Sequence, residues 1–121
     1  MKRITILFAT IIFSITAFCQ TEIKLEEIAN HIGDSVKVCT KIYGGIYLER
    51  SKGTPTFLNA GGSYPNNPLT LVIWSDIRKE FADKPEEFFK DKMVCIFGKV
   101  ELFKDKPQIV IQSKSQIILQ Q

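Results

Sequence analysis

Ten residues carry the chemistry this chain can offer a ligand: the rings of Tyr47, Phe57, Tyr64 and Trp74, the amides of Asn59 and Asn66, and the cations of Arg50, Lys52, Lys104 and Lys106. Aromatic planes that stack bases, together with cations that follow phosphates, are what binding of a single nucleic-acid strand requires. Each group also has a structural use. Phe57 and Trp74 suit a β core, loop lysines are commonly just solvated, and Tyr64-Pro65-Asn66-Asn67-Pro68 can form a rigid loop.

Catalytic groupings find no support in the residue pattern. A serine or cysteine nucleophile needs a base, and the single histidine, His31, lies just before Gly33, where a surface or capping role fits it. Glu26-Glu27 and Glu86-Glu87 are adjacent rather than a helical turn apart, so their carboxylates point to different faces. Gly44-Gly45 and Gly61-Gly62 do not lead from strand into helix with the spacing that aims N–H groups at an anion, and they read as bends. No Cys/His spacing matches a metal box. The expectation is a binding module, not an enzyme, with no cofactor or metal.

The first twenty residues look like an export signal. Lys2 and Arg3 precede an apolar run, and Ala17-Phe18-Cys19 followed by Gln20 supplies small residues for cleavage after Cys19. Ile4 to Phe18 is 15 residues, about 22 Å as a helix, too short for roughly 30 Å of hydrocarbon. The expected division is therefore a signal peptide over 1–19 and one domain over 20–121, exported to the periplasm or beyond, with no stable membrane span after cleavage. Acylation of Cys19 is the less favoured alternative, because Phe18 precedes it. Loss of the leader leaves fourteen basic against thirteen acidic residues, so the net charge of +1 gives no general attraction for nucleic acid and any such role needs local clustering.

Element signals run through the rest of the chain. Ile23, Leu25, Ile28, Ala29 and Ile32 recur near helical spacing before Gly33, which predicts a short amphipathic helix. From Ser35 the chain alternates, with Val36, Val38, Thr40 and Ile42 on one side and Lys37, Cys39 and Lys41 on the other. Gly44-Gly45 can bend this first strand before it continues through Ile46-Tyr47-Leu48. Further strands are predicted at 55–60, 69–74, 93–103 (with Gly98 as a bulge) and 108–112, with a short apolar stretch at 115–119. Between the third and fourth, Ile77, Phe81, Phe88 and Phe89 suggest one or two short helices broken at Pro85.

Five strands with a helix between the third and fourth is the order of the OB-fold, so the fold class expected is mostly β: a five-stranded Greek-key barrel with an N-terminal helix. The stretches Val38-Cys39, Pro55-Thr56-Phe57-Leu58-Asn59, Tyr64-Pro65-Asn66, Val72-Ile73-Trp74, Val94-Cys95-Ile96-Phe97-Gly98-Lys99-Val100 and Lys106-Pro107-Gln108-Ile109 with Ser115-Gln116-Ile117 resemble a group of small exported bacterial OB-fold domains of nucleic-acid-binding type. The resemblance covers nearly the whole mature chain. It implies a fold and carries over no catalytic residues.

In that topology the first and fourth strands are neighbours, and alternation puts Cys39 and Cys95 opposite the apolar sets Val36/Val38 and Val94/Ile96. A cross-strand Cys39–Cys95 disulfide is expected, in keeping with an oxidising compartment. OB-folds engage oligonucleotides and oligosaccharides on the face of strands 2 and 3, between the loops joining strands 1–2 and 4–5. Here those loops hold Arg50 with Lys52 and Lys104 with Lys106. The partner expected is single-stranded DNA or RNA, or another polyanionic oligomer. The alternative is an envelope protein held by the barrel surface, with no nucleic-acid binding.

Overall fold

The computed structural model describes Thr10 and residues 20–120. The expected leader, apart from Thr10, and Cys19 lie outside the described residues. Among the described residues seven strands form: β1 (Thr21–Ile23), β2 (Ser35–Tyr47), β3 (Thr56–Ala60), β4 (Leu69–Ile73), β5 (Met93–Phe103), β6 (Lys106–Val110) and β7 (Ile117–Leu119). Between β4 and β5 lie two single-turn helices, α1 (Ser75–Arg78) and α2 (Pro85–Phe88). Pro85 opens the second, as its fixed φ allows.

Pairing in the order β2-β3-β4-β6-β5, with β5 returning to β2, closes five strands into a ring. Every pair in the ring is antiparallel except β4–β6, which is parallel. Alternation decides what faces inward. Val36, Val38 and Ile42 from β2, Leu58 from β3, Leu69, Leu71 and Ile73 from β4, Val94, Ile96 and Val100 from β5 and Ile109 from β6 are all fully buried. Phe89, just after α2, joins this core.

Two strands of the ring are long, and each serves two partners. The first half of β2 pairs with β5 and the second half with β3. The change is made at a bulge between Ile42 and Gly45, where Gly44 adopts φ 130°, a conformation closed to most side chains. The remaining edges of the long strands are covered by the short ones: β1 lies parallel along Val36–Val38, and β7 lies along Val94–Ile96. Covering these edges removes unpaired backbone groups that would otherwise recruit another chain.

Three sequence expectations need correction. The ring has five strands, but the sheet has seven: β7 forms within the short apolar stretch expected at 115–119, whereas β1 is too short to show a periodic signal. The N-terminal amphipathic helix is instead β1 followed by a 3₁₀ helix at Leu25–His31, with Ile23 and Ile28 as its buried anchors. Gly98 is no bulge, since the β2–β5 register is continuous from Ser35↔Lys99 to Lys41↔Met93. A Cβ there would stand 2.7 Å from the Ile109 methyl, so close packing across the barrel explains the glycine.

Two cross-links, one covalent and one polar, fix the ring from outside its apolar centre. Cys39 and Cys95 are direct cross-strand partners and form a disulfide, with Cα atoms 4.0 Å apart. At the far end of β2 and β3, Arg78 of α1 donates to the Thr56 hydroxyl at 2.7 Å and to both Glu86 oxygens at 2.6 and 3.0 Å. One guanidinium thus joins α1, α2 and β3, and it satisfies a hydroxyl whose residue is fully buried. The hydrogen bond to Glu86 raises the Arg78 pKa, with partial burial opposing it. Burial acts to raise the Glu86 pKa, but the Arg78 hydrogen bond and charge outweigh it and hold the carboxyl below its ordinary 4.5.

Both devices have measurable consequences. The disulfide spans 56 residues, so replacing both cysteines with alanine should lower the unfolding free energy by about 3–4 kcal/mol in urea titrations. Because the folded Glu86 pKa lies below its unfolded value, its contribution is present above about pH 4.5 and is lost as pH falls through the folded pKa. Glu86→Gln should therefore cost about 2 kcal/mol at neutral pH and flatten the decline in stability below pH 4.5, read from denaturation midpoints across pH.

Candidate nucleic-acid interface

The outer face of β3 and β4 is built by the side chains that alternation turns away from the core. One cross-strand row runs Ile46, Phe57, Val72 and Val110, in which Val72 is covered and only 2% exposed, and a parallel row runs Asn59, Thr70, Gln108 and Glu101. Asn67 fixes the polar row from its edge, donating to the Leu69 carbonyl at 2.9 Å and the Thr70 hydroxyl at 2.8 Å. Beyond Val72, Trp74 leaves β4 on the same side and stays 42% exposed.

A loop extends from each end of this face. The β2–β3 connection, with Arg50 and Lys52, leaves from the end where Thr56 pairs with Ile73. Its Gly53 lies against the Trp74 ring, where an added Cβ would come within 2.9 Å of Cζ3. The β5–β6 hairpin, with Lys104 and Lys106, turns at the opposite end, because β6 runs parallel to β4 from its start. All four cations are exposed, and Lys104 Nζ lies 5.5 Å from the Phe103 ring centroid.

The ten candidates therefore separate into groups. Phe57, Asn59 and Trp74 share the outer face, and Arg50, Lys52, Lys104 and Lys106 stand at its two ends. Tyr47 is turned the other way. The bulge makes it the partner of inward-facing Thr56, and the Arg78 guanidinium stacks on its ring at 3.7 Å. That cation is already engaged by Glu86. Tyr64 and Asn66 lie in the exposed β3–β4 loop, where Tyr64 is joined by Tyr43 and Asn59 around a groove rather than by the basic loops.

Residues outside the ten also belong to this surface. Ile46 is 55% exposed, and Leu102 and Phe103 are exposed at the hairpin beside Lys104. Apolar residues on the solvent side of a hairpin carry no signal that distinguishes them from core in a single sequence. His31 pairs with Asp34 at 3.2 Å on the surface, away from these elements in sequence. Among the described residues, no group of three His, Cys, Asp or Glu side chains is placed to hold a metal ion, and no helix is long and apolar enough to cross a membrane.

No family model and no curated protein matches the chain. Among solved structures it is similar to the crystal structure of a "putative aspartyl-tRNA synthetase from Leishmania major Friedlin", with a TM-score of 0.50 and 12% identity. The match covers 89% of this chain and 22% of that one, so the chain spans about a fifth of the length of the protein it resembles. At that identity the likeness is one of fold alone.

Proposed function

We propose that this chain is an extracytoplasmic OB-type barrel that binds single-stranded nucleic acid, or a polyanionic oligomer of similar form, across the outer face of β3 and β4. The observation that carries this reading is the placement of partly exposed Phe57 and exposed Trp74 on one outer face with a pair of cations at either end. A strand lying across β3 and β4 would stack bases on the rings while its phosphates meet Arg50 and Lys52 at one end and Lys104 and Lys106 at the other. The closed order β2-β3-β4-β6-β5 with its single parallel pair supports the OB assignment. The fold likeness to a protein whose name refers to tRNA is consistent with it.

Compartment is part of the proposal. A disulfide between β2 and β5 is compatible with an oxidising environment, and the leader-like residues 1–19 supply a route to it. The same surface favours a second reading, in which the exposed Ile46, Leu102 and Phe103 hold an envelope protein instead of a nucleic acid.

Salt dependence separates the two. Four phosphate contacts on a single strand correspond to a slope of log K against log salt of about −3. Titration of the oxidised protein with oligothymidylate should therefore quench the fluorescence of Trp74, the sole tryptophan, and lose roughly fiftyfold in affinity between about 50 and 200 mM salt. Changing Arg50, Lys52, Lys104 and Lys106 together to alanine should bring the slope near zero, and Trp74→Ala should weaken binding about tenfold or more. Unchanged affinity in the quadruple variant would exclude the nucleic-acid reading.

A further inference from the structure

The bulge that bends β2 also opens a groove that the face of β3 and β4 does not account for. Its volume is about 510 Å³, and it lies between β2, the β3–β4 loop and α2. The floor is Gly44 and Gly45, and space stands open above Gly44 because no atom lies within 4 Å of where its Cβ would be. Tyr43 and Tyr64 form the aromatic walls, with Asn59 and Ser63 between them. From α2 come Glu86 and Glu87, with Lys90 just beyond the helix.

The charges here cancel. Glu86 is ion-paired with Arg78, and the remaining lining charges are one carboxylate, Glu87, and one ammonium, Lys90, which are not in contact as an ion pair. A groove without net charge offers a phosphate chain no attraction, in contrast to the two basic loops. What remains is aromatic surface next to neutral hydrogen-bonding groups. Lys41 Nζ lies 5.0 Å from the Tyr43 ring centroid and occupies one side of it, whereas Tyr64 is 77% exposed with its ring open to solvent. An exposed tyrosine held in water at the rim of a polar groove is suited to the C–H face of a pyranose ring, whose hydroxyls the amide, hydroxyl and carboxylate can bond.

We propose that this groove binds a neutral oligosaccharide, with Tyr64 as the stacking platform and Asn59, Ser63 and Glu87 as hydrogen-bonding partners. Asn59 borders both this groove and the outer face of β3 and β4, but neither proposal requires the other. Calorimetric titration of the oxidised protein with cellotetraose, maltotetraose and tetra-N-acetylchitotetraose, accompanied by amide chemical-shift mapping, tests it. At least one sugar should bind saturably, moving the resonances of Tyr43, Asn59 and Tyr64, with an affinity indifferent to salt because the ligand is uncharged. Tyr64→Ala should weaken that binding about tenfold, and Tyr64→Phe, which keeps the ring, should retain it. Tyr64 is exposed, so the thermal midpoint should not change in either variant. No saturation by any of the three at millimolar concentration, an affinity unaffected by Tyr64→Ala, a steep salt dependence, or shifts confined to other elements would each overturn the proposal.

Discussion

Closure of β2 onto β5 is the interaction on which the other features depend. Ser35–Lys41 pair with Met93–Lys99 in unbroken register, while the same strand, from Ile42 onward, pairs with β3. A straight strand cannot belong to both sheets of a small barrel, and the left-handed turn at Gly44 is what lets one do so. Once the ring closes, alternation has no freedom left. Val36, Val38, Val94 and Ile96 must fill the interior, and Cys39 and Cys95 must meet outside. The disulfide therefore fixes the same pair of strands whose pairing makes the barrel.

The bulge has a second effect, on side-chain direction. Strict alternation from Ile42 would turn Tyr47 outward and Ile46 inward. The extra residue reverses both, so Ile46 stands on the outer face opposite Phe57 while Tyr47 meets Thr56 and Arg78. Arg78 then completes the barrel end by joining three elements through one guanidinium. With Tyr47 and Arg78 engaged there, the cations left to a ligand on the outer face are those of the two loops. One bend in the backbone thus sets the barrel, the orientation of its aromatic surface and the groove beside it.

This division also explains what the sequence reveals. Alternation over Val36–Ile42 is long enough to identify a half-buried strand and the sides of its residues, which is why the cysteine pairing follows from pattern and topology alone. Pro85 likewise marks the start of α2 through a local backbone preference. The three-residue strand β1 has no periodicity of its own and exists only through pairing with a strand that comes later in the chain. Arg78 reaches Glu86 across eight residues and Thr56 across 22, and both contacts cross from one element to another, where no single periodicity announces them. The direction of Tyr47 depends on the exact place of the bulge, which two adjacent glycines announce without specifying. Of the interface, residue types and loop charges are visible in the chain, but which of them share a face is a property of closure.

The most direct test of the central claim is chemical-shift mapping of the oxidised protein during titration with a short single-stranded oligonucleotide. Display of aromatic groups on the outer face of a closed barrel between two basic loops should concentrate the shifts at Phe57, Val72, Trp74, the β2–β3 connection and the β5–β6 hairpin. Shifts that avoid these elements, or that gather around the Cys39–Cys95 side of the barrel, would contradict the account.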